Sequence, residues 1–117
     1  MGHFLSPELV DHICKPYQRA GKFAWHFARG KLKRDPVFTH ILQAGYISPY
    51  ARILDIGCGQ GLLAAMLCGM DDYTYRYSER KAEIKAASVT GIELMRNDVI
   101  RARQALQVFG SRIQIIH

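Results

Sequence analysis

Apolar positions in residues 1–50 recur at the spacing of amphipathic helices. In the segment "SPELVDHIC", Ser6 predicts an N-cap and Pro7 the first residue of a short helix. A second helix is predicted from Tyr17 to Ala28, with Gly30 at its carboxyl end. The chain is therefore predicted to begin with two short helices in succession.

A third helix is predicted from Asp35-Pro36, and its apolar stripe ends at Gly45. The segment "YISPYA" that follows is predicted to be a loop, because Pro49 disfavours helix in the residue before it. Residues 1–50 are therefore expected to form a helical lead-in to a second region, residues 51–117.

After this loop the pattern changes to short apolar runs that alternate with helical segments. The run "RILDIG" is typical of a strand that is buried on both faces of a parallel sheet. A helix with Leu63 on its apolar side follows, then a strand in "ASVTGIELM", a helix capped by Asn97, and a strand that begins at Arg112. This βαβαβ order predicts the α/β class, as part of a doubly wound, Rossmann-like parallel sheet.

Three glycines, Gly57, Gly59 and Gly61, lie between the first predicted strand and the helix after it. Glycine permits the backbone angles of a sharp turn, and it leaves no Cβ atom between a ligand and the backbone. We therefore expect a nucleotide-like ligand above this loop. The dinucleotide fingerprint G-x-G-x-x-G has its third small residue where this chain has Leu62, so the spacing G-x-G-x-G disfavours NAD.

Composition says more about the cellular compartment of the protein than about any reaction that it catalyses. Although 49% of the residues are apolar, the apolar runs are far shorter than the ~20 residues of a membrane span, and the amino terminus does not have the pattern of a secretory signal. The three cysteines fit neither a disulfide framework nor a zinc site, and the histidines lack the spacing of metal ligands. We therefore expect a cytoplasmic protein without a metal centre.

The net charge of +6 is concentrated in the lead-in, above all in the segment "RGKLKR" at residues 29–34. Clustered positive charge can attract phosphates or an acidic carrier protein. The favoured interpretation is a solvated helix end, where the helix dipole stabilises lysine and arginine. A nucleic-acid partner is therefore not expected.

The segment "ILDIGCGQG", the acidic residue in "GIELM" and the helix after it follow one another in an order found in one enzyme family. Together they resemble the first motif and the second strand of class I S-adenosylmethionine-dependent methyltransferases, over residues 52–117. The resemblance implies S-adenosylmethionine as the cofactor. It places the glycine loop against the methionine and ribose portions, an acid on the ribose hydroxyls, and apolar side chains beside the adenine.

In this chain the resemblance assigns Glu93 to the ribose, and Leu94 and Met95 to the adenine. The full set of implied cofactor contacts is Asp55, Gly57, Cys58, Gly59, Gly61, Glu93, Leu94 and Met95. Asp55 is expected near the amino group of the cofactor, and Cys58 is interpreted as a small packing residue rather than a nucleophile. Because the sulfonium activates its own methyl group, we expect no catalytic base within this chain.

Two features depart from the family pattern. Glu93 follows Gly57 by 36 positions, whereas roughly 20 separate a glycine loop from its ribose acid in dinucleotide-binding folds. The extra length lies in residues 71–88, where tyrosines alternate as in a strand, and a surface excursion is favoured over a lid. The family's sheet also continues beyond a third strand, so we expect the chain to be the truncated N-terminal part of such a domain.

A partial sheet leaves its first strand as an unpaired edge, which favours association with a second copy. We therefore expect a homo-oligomer. The face of the second helix that carries Phe23 and Phe27 is expected to pack on the sheet or to cap the cofactor cleft. The methyl acceptor is expected to be a small molecule or a carrier-bound group. The alternatives are a non-catalytic nucleotide-binding or association half-domain and, with less support, an NAD-dependent oxidoreductase.

Overall fold

The computed structural model describes residues 5–77 and 87–117, which form a mixed α/β fold with five α-helices and a three-stranded parallel sheet. The predicted fold class, a partial Rossmann-like βαβαβ unit preceded by helices, is confirmed. The elements in chain order are α1 (Pro7–Cys14), a first 3₁₀ helix (Lys15–Ala20), α2 (Lys22–Arg34), α3 (Pro36–Ala44), β1 (Arg52–Ile56), α4 (Leu62–Tyr77), β2 (Ser88–Ile92), α5 (Arg96–Leu106), a second 3₁₀ helix (Gln107–Arg112) and β3 (Ile113–Ile116).

Two of the lead-in helices begin where the sequence predicts them. The Ser6 hydroxyl accepts a hydrogen bond from the Leu9 N–H at 3.2 Å and caps α1. The Asp35 carboxylate accepts one from the Val37 N–H at 3.0 Å and caps α3, which ends at Gly45 in the left-handed conformation. Both side chains satisfy backbone donors that have no partner within the helix, so the predicted cap at Ser6 and the predicted start of the third helix are confirmed.

The second lead-in helix differs from its prediction at both ends. Residues 15–20 form a 3₁₀ helix, Gly21 has a φ of 105°, and α2 begins only at Lys22. Gly30 lies inside α2, which continues to Arg34. The helix-favouring residues around Gly30 outweigh the roughly 1 kcal/mol that one glycine costs a helix. The helical segments are therefore separated at Gly21 and not at Gly30.

The strands pair in the order β1-β2-β3, and all are parallel. The register places Ile56 beside Ile92, and Ile92 beside Ile116. The carboxyl ends of the strands consequently lie along one edge of the sheet. In open α/β sheets this edge is where ligands bind, and here it is where the glycine loop and Glu93 follow their strands.

The prediction that β1 is buried on both faces is wrong. Ile53 and Asp55 are partly buried, whereas Leu54 and Ile56 are 59% and 77% exposed. Within residues 5–77 and 87–117, only the face that carries Ile53 packs against the core. An apolar run predicts burial, but it does not show how many layers cover the strand.

Three further boundaries differ from their predictions. The backbone of α4 continues as helix through Tyr77, so the strand predicted from the tyrosine pattern is wrong up to that residue. Once a helix has formed, adding a residue is easier than starting a new element. Residues 78–86 of the predicted excursion lie outside the described residues. β2 is limited to Ser88–Ile92, and α5 begins before Asn97, which is therefore not its cap.

One core joins the lead-in to the sheet unit. α1 contacts α4, and a Cβ added at Gly69 would lie 3.2 Å from Ile13 Cγ1. The first 3₁₀ helix contacts α2 and α5, and its Tyr17 is fully buried. Leu67 of α4 and Val99 of α5 belong to the same buried cluster. The lead-in therefore packs on the side of the sheet that carries α4 and α5.

Candidate functional site

The loop 57–61 turns the chain from the carboxyl end of β1 into α4. Gly57, Gly59 and Gly61 have φ angles of 75°, 58° and 78°. Residues with a side chain rarely adopt such angles, so the backbone path itself requires glycine at these positions. The sharp turn predicted from the three glycines is therefore present.

The three glycines divide into two kinds by what a side chain would meet. A Cβ at Gly57 or Gly59 would meet nothing within 4 Å. A Cβ at Gly61 would lie 2.5 Å from Leu106 Cδ1 and 3.6 Å from Ala102 Cβ, in the contact between the loop and α5. Gly57 and Gly59 thus leave room beside the backbone for a ligand, whereas Gly61 permits close packing.

Hydrogen bonds within the protein already use several backbone donors of this loop. The N–H groups of Gly57 and Cys58 donate to the Ile92 carbonyl at 2.8 and 3.0 Å. The Gly59 N–H donates to Glu93 Oε1 at 2.9 Å. A phosphate-binding loop instead directs such groups at its ligand. This loop is therefore poorly suited to hold a phosphate group.

Glu93 follows β2 and joins the glycine loop to the start of α5. Its Oε1 accepts from the Gly59 N–H at 2.9 Å, and its Oε2 accepts from the Met95 N–H at 2.6 Å. These backbone hydrogen bonds, the one from Met95 first, lower the pKa of Glu93, so the carboxylate is ionised at neutral pH. Glu93 is only 9% exposed, and each of its carboxylate oxygens accepts one backbone hydrogen bond.

A cleft of about 540 Å³ opens between the glycine loop and the lead-in helices, a size typical of small-molecule sites. Its lining consists of Phe23, Phe27, Ala28, Lys31, Val37, Phe38, Ile41, Asp55, Gly57, Cys58, Gly59, Gln60, Leu62, Leu63, Asp98 and Arg101. Four of the residues that the family resemblance implies, Asp55, Gly57, Cys58 and Gly59, therefore lie together in one cleft.

Two side chains on the loop side of the cleft, Asp55 and Cys58, have altered acidity. Burial raises the pKa of Asp55. Burial, followed by the nearby Asp55 charge, raises the pKa of the Cys58 thiol to about 11, so Cys58 is not a thiolate at neutral pH. A Cβ at Gly91 would lie 2.7 Å from Cys58 Sγ. Cys58 thus packs against a glycine of β2, which supports its interpretation as a packing residue.

α2 supplies an aromatic wall to the cleft. The rings of Phe23 and Phe27 stack with centroids 6.0 Å apart, and both side chains are largely exposed. The Arg101 guanidinium lies 4.8 Å from the Phe23 ring centroid, and the Lys31 ammonium lies 5.9 Å from that of Phe27. This face of the helix therefore lines one side of the cleft, and its role in covering a bound cofactor stays a prediction.

Lys31, Asp98 and Arg101 line the cleft but were not predicted as site residues. Asp98 Oδ1 accepts a hydrogen bond from Arg101 Nη1 at 3.3 Å, so two of these charges form an ion pair. The signal that could identify Asp98 and Arg101 is their position in the early turns of α5, because that end of the helix lies nearest the carboxyl edge of β2. Lys31 lies in α2, where no local signal indicates that it faces the cleft.

Other predicted residues lie outside the cleft lining. Gly61 faces α5, and Glu93 contacts the loop backbone. Leu94 and Met95 follow Glu93 on the surface and are 86% and 63% exposed. In the described part of the chain, the side chains expected beside the adenine therefore lie on an open surface.

Residues 5–77 and 87–117 contain no group of three or more side chains that could together hold a metal ion. No helix in the same residues is long and apolar enough to cross a membrane. All three cysteines are free thiols, with Cys14 and Cys68 buried and Cys58 partly buried.

Fold and site together define a mixed α/β unit whose partial Rossmann-like sheet carries a glycine loop that opens onto a cleft. No protein-family model matches the chain, and no curated protein matches it by sequence. Among solved structures the chain is similar to the X-ray structure of YjhP from E. coli, with a TM-score of 0.47 and 17% sequence identity. The match covers 95% of this chain and 36% of that one, so the chain spans little more than a third of that protein.

Proposed function

We propose that this chain binds S-adenosylmethionine in the cleft beside Gly57 and Gly59, and that it is the cofactor-binding part of a methyltransferase. The observation that carries the proposal is the 2.9 Å hydrogen bond from the Gly59 N–H to Glu93 Oε1. This bond joins the glycine loop after β1 to the acidic residue after β2, and the family resemblance rests on these two motifs. They are 34 positions apart in sequence and meet at the carboxyl edge of the sheet.

The donor and acceptor groups of the loop favour a cofactor with positive charge over one with phosphates. The methionine portion of S-adenosylmethionine carries an ammonium and a sulfonium group, and Asp55 contributes a carboxyl group to the cleft. A bound cation would favour the ionised form of Asp55 and offset the effect of burial on its pKa. NAD and ATP would instead bring phosphates to a loop whose N–H groups at 57–59 are already engaged.

Glu93 has the capacity to accept ribose hydroxyls while it holds the loop. An ionised carboxylate offers about four acceptor positions, and the hydrogen bonds from Gly59 and Met95 use one on each oxygen. Adenine packed on Leu94 and Met95 would cover apolar side chains that are otherwise exposed to water. The assignment of ribose and adenine to these residues is part of the proposal.

When bound, the cofactor supplies an activated methyl group. The remaining tasks of the protein are to orient the acceptor and to exclude water. Phe23 and Phe27 offer apolar surface across the cleft from the loop, and Lys31 and Arg101 offer positive charge beside them. We therefore propose a small-molecule or carrier-bound acceptor with an apolar body.

Isothermal titration calorimetry of the 117-residue chain with S-adenosylhomocysteine, NAD and ATP tests the proposal. Only S-adenosylhomocysteine should bind. Gly59→Ala places a Cβ in the cleft and should weaken binding, whereas Gly45→Ala, at another left-handed glycine with open space around it, should not. Preferential binding of NAD, or unchanged affinity in Gly59→Ala, would contradict the proposal.

A second candidate function is association with another chain, and the uncovered face of the sheet favours it. Leu54, Ile56, Ile92 and Ile116 are exposed on this face, and β1 is an edge strand of the described sheet. Contiguous exposed apolar side chains beside an unpaired strand are typical of association surfaces. Sedimentation equilibrium at micromolar concentration should show self-association that Ile56→Lys weakens, and a stable monomer would contradict this candidate.

A further inference from the structure

A buried hydrogen bond connects the lead-in to the glycine loop. Tyr17, in the first 3₁₀ helix, is fully buried, and its hydroxyl donates to the Gln60 carbonyl at 2.8 Å. The two residues are 43 positions apart in sequence. Gln60 is 6% exposed and lies between Gly59 and Gly61. The lead-in therefore makes direct polar contact with the backbone of the proposed cofactor loop.

The orientation of the Gln60 carbonyl depends on contacts from outside the loop. The peptide between Gln60 and Gly61 turns on ψ of Gln60 and φ of Gly61, and because glycine permits a wide range of φ, this peptide can rotate at low conformational cost. The Gly61 N–H donates to the Cys58 carbonyl at 2.9 Å and opposes rotation from within the loop. Tyr17 opposes it from outside, because rotation would leave two buried polar groups without partners.

We propose that Tyr17 is a positioning residue of the glycine loop: its hydroxyl fixes the Gln60 peptide and so keeps Gly59 in the conformation that leaves space for the ligand. Burial raises the pKa of Tyr17 well above its usual value, so the hydroxyl keeps its proton and remains a donor at physiological pH. The identity of the ligand rests on the proposed function, whereas the effect on the loop does not.

Amide hydrogen exchange tests the effect on the loop without any ligand. In Tyr17→Phe, which removes only the hydroxyl, the Gly61 amide should exchange about threefold to tenfold faster relative to Leu67 in the core of α4. Ile13→Val is the matched control, because Ile13 is equally buried in the lead-in but packs on α4 at Gly69. Ile13→Val should leave the ratio of the Gly61 exchange rate to the Leu67 exchange rate unchanged. The same ratio in Tyr17→Phe and Ile13→Val would overturn the proposal.

Calorimetric titration with S-adenosylhomocysteine adds a readout that a merely structural role would not change. Tyr17→Phe should bind about threefold to tenfold more weakly, and Ile13→Val should bind as the unsubstituted chain does. Unchanged affinity in Tyr17→Phe would overturn the positioning role. If the unsubstituted chain does not bind, the proposed function fails, and the exchange ratios still decide the role of Tyr17.

The hydroxyl proton of Tyr17 provides a test that needs no variant, in case Tyr17→Phe does not fold. A buried hydroxyl that donates at 2.8 Å should exchange slowly enough to give its own proton resonance. A Tyr17 hydroxyl in fast exchange with water would overturn the proposal.

Discussion

The two walls of the cleft are constructed differently. The glycine-loop wall is held by backbone hydrogen bonds to the Ile92 carbonyl and to the buried carboxylate of Glu93. The α2 wall presents Phe23 and Phe27, which are 62% and 45% exposed and contact each other and two cations at the surface. The first wall is fixed by bonds within the protein, whereas side chains of the second can change conformation at low cost.

This difference suggests a different task for each wall. A wall that is already ordered loses little conformational entropy when a ligand binds, which suits a cofactor that is the same in every reaction cycle. Exposed aromatic side chains gain favourable free energy when an apolar molecule covers them, which suits an acceptor. Substitutions in the loop wall should therefore alter stability and cofactor affinity together, and substitutions in the α2 wall should alter neither strongly.

Glu93→Ala should have the largest effect, because it removes both hydrogen bonds that hold the loop wall. Each hydrogen bond to a charged group contributes about 1.5–3 kcal/mol, so urea denaturation should show that the loss of both lowers the free energy of unfolding by roughly 3–6 kcal/mol. S-Adenosylhomocysteine affinity should fall as well. Glu93→Gln retains one acceptor oxygen, so its free energy of unfolding should fall by less than that of Glu93→Ala. Unchanged stability in Glu93→Ala would show that the loop is held by other contacts.

The same carboxylate predicts a dependence of stability on pH. Because the pKa of Glu93 is lowered in the fold, its contribution is complete above the unfolded value of about 4.3 and is lost as the pH falls through the folded value. The pKa of Asp55 is raised by burial, so its protonation on acidification has the opposite sign. Thermal unfolding between about pH 3 and 7 should lose less stability in Glu93→Gln and more in Asp55→Asn. If stability changed with pH in the same way in both variants and in the unsubstituted chain, these signs for Glu93 and Asp55 would be contradicted.

Gly61→Ala and Gly59→Ala should separate packing from ligand access with smaller effects. Both substitutions place a side chain at a positive φ, which costs about 1–2 kcal/mol. In Gly61→Ala the new Cβ also meets buried Leu106, and such overpacking costs typically about 1–3 kcal/mol more. Gly61→Ala should therefore unfold at lower urea concentration than Gly59→Ala. Equal midpoints would contradict the division of the glycines into two kinds.

Phe23→Ala should have the smallest effect, because the side chain is mostly exposed. It removes the contact with the Arg101 guanidinium, which at exposed sites is worth about 0.5–1 kcal/mol of stability. Calorimetry should show nearly unchanged S-adenosylhomocysteine affinity. A loss of affinity as large as that of Gly59→Ala would assign the α2 wall to the cofactor and remove the contrast between the walls.

Elements with local signals could be predicted from the sequence. The caps at Ser6 and Asp35 and the apolar runs of the strands depend on neighbouring residues, so each can be inferred from one segment. The start of α2 was missed because Gly21 and Gly30 have similar local signals, and of the two only Gly21 has a positive φ in the structure. The exposure of Leu54 was missed because local sequence does not show which faces of a sheet other layers cover.

Contacts at the glycine loop likewise divide into those that could be predicted from the sequence and those that could not. Parallel strands bring their carboxyl ends to one edge, so topology alone predicts that Gly59 and Glu93 approach each other. The hydrogen bond from Tyr17 to the Gln60 carbonyl depends on how the first 3₁₀ helix packs, across 43 positions of sequence. No local pattern indicates this contact, and it could not be predicted before the structure.

The most direct test of the central claim is a nuclear Overhauser measurement between bound S-adenosylhomocysteine and the α-protons of the loop glycines. Gly57 and Gly59, which have open space beside the backbone, should show intermolecular contacts, and Gly61, which faces α5, should show none. Gly45, another glycine with a positive φ and open space, serves as the control and should also show none. A complex without contacts at Gly57 and Gly59 would contradict the proposed cofactor site.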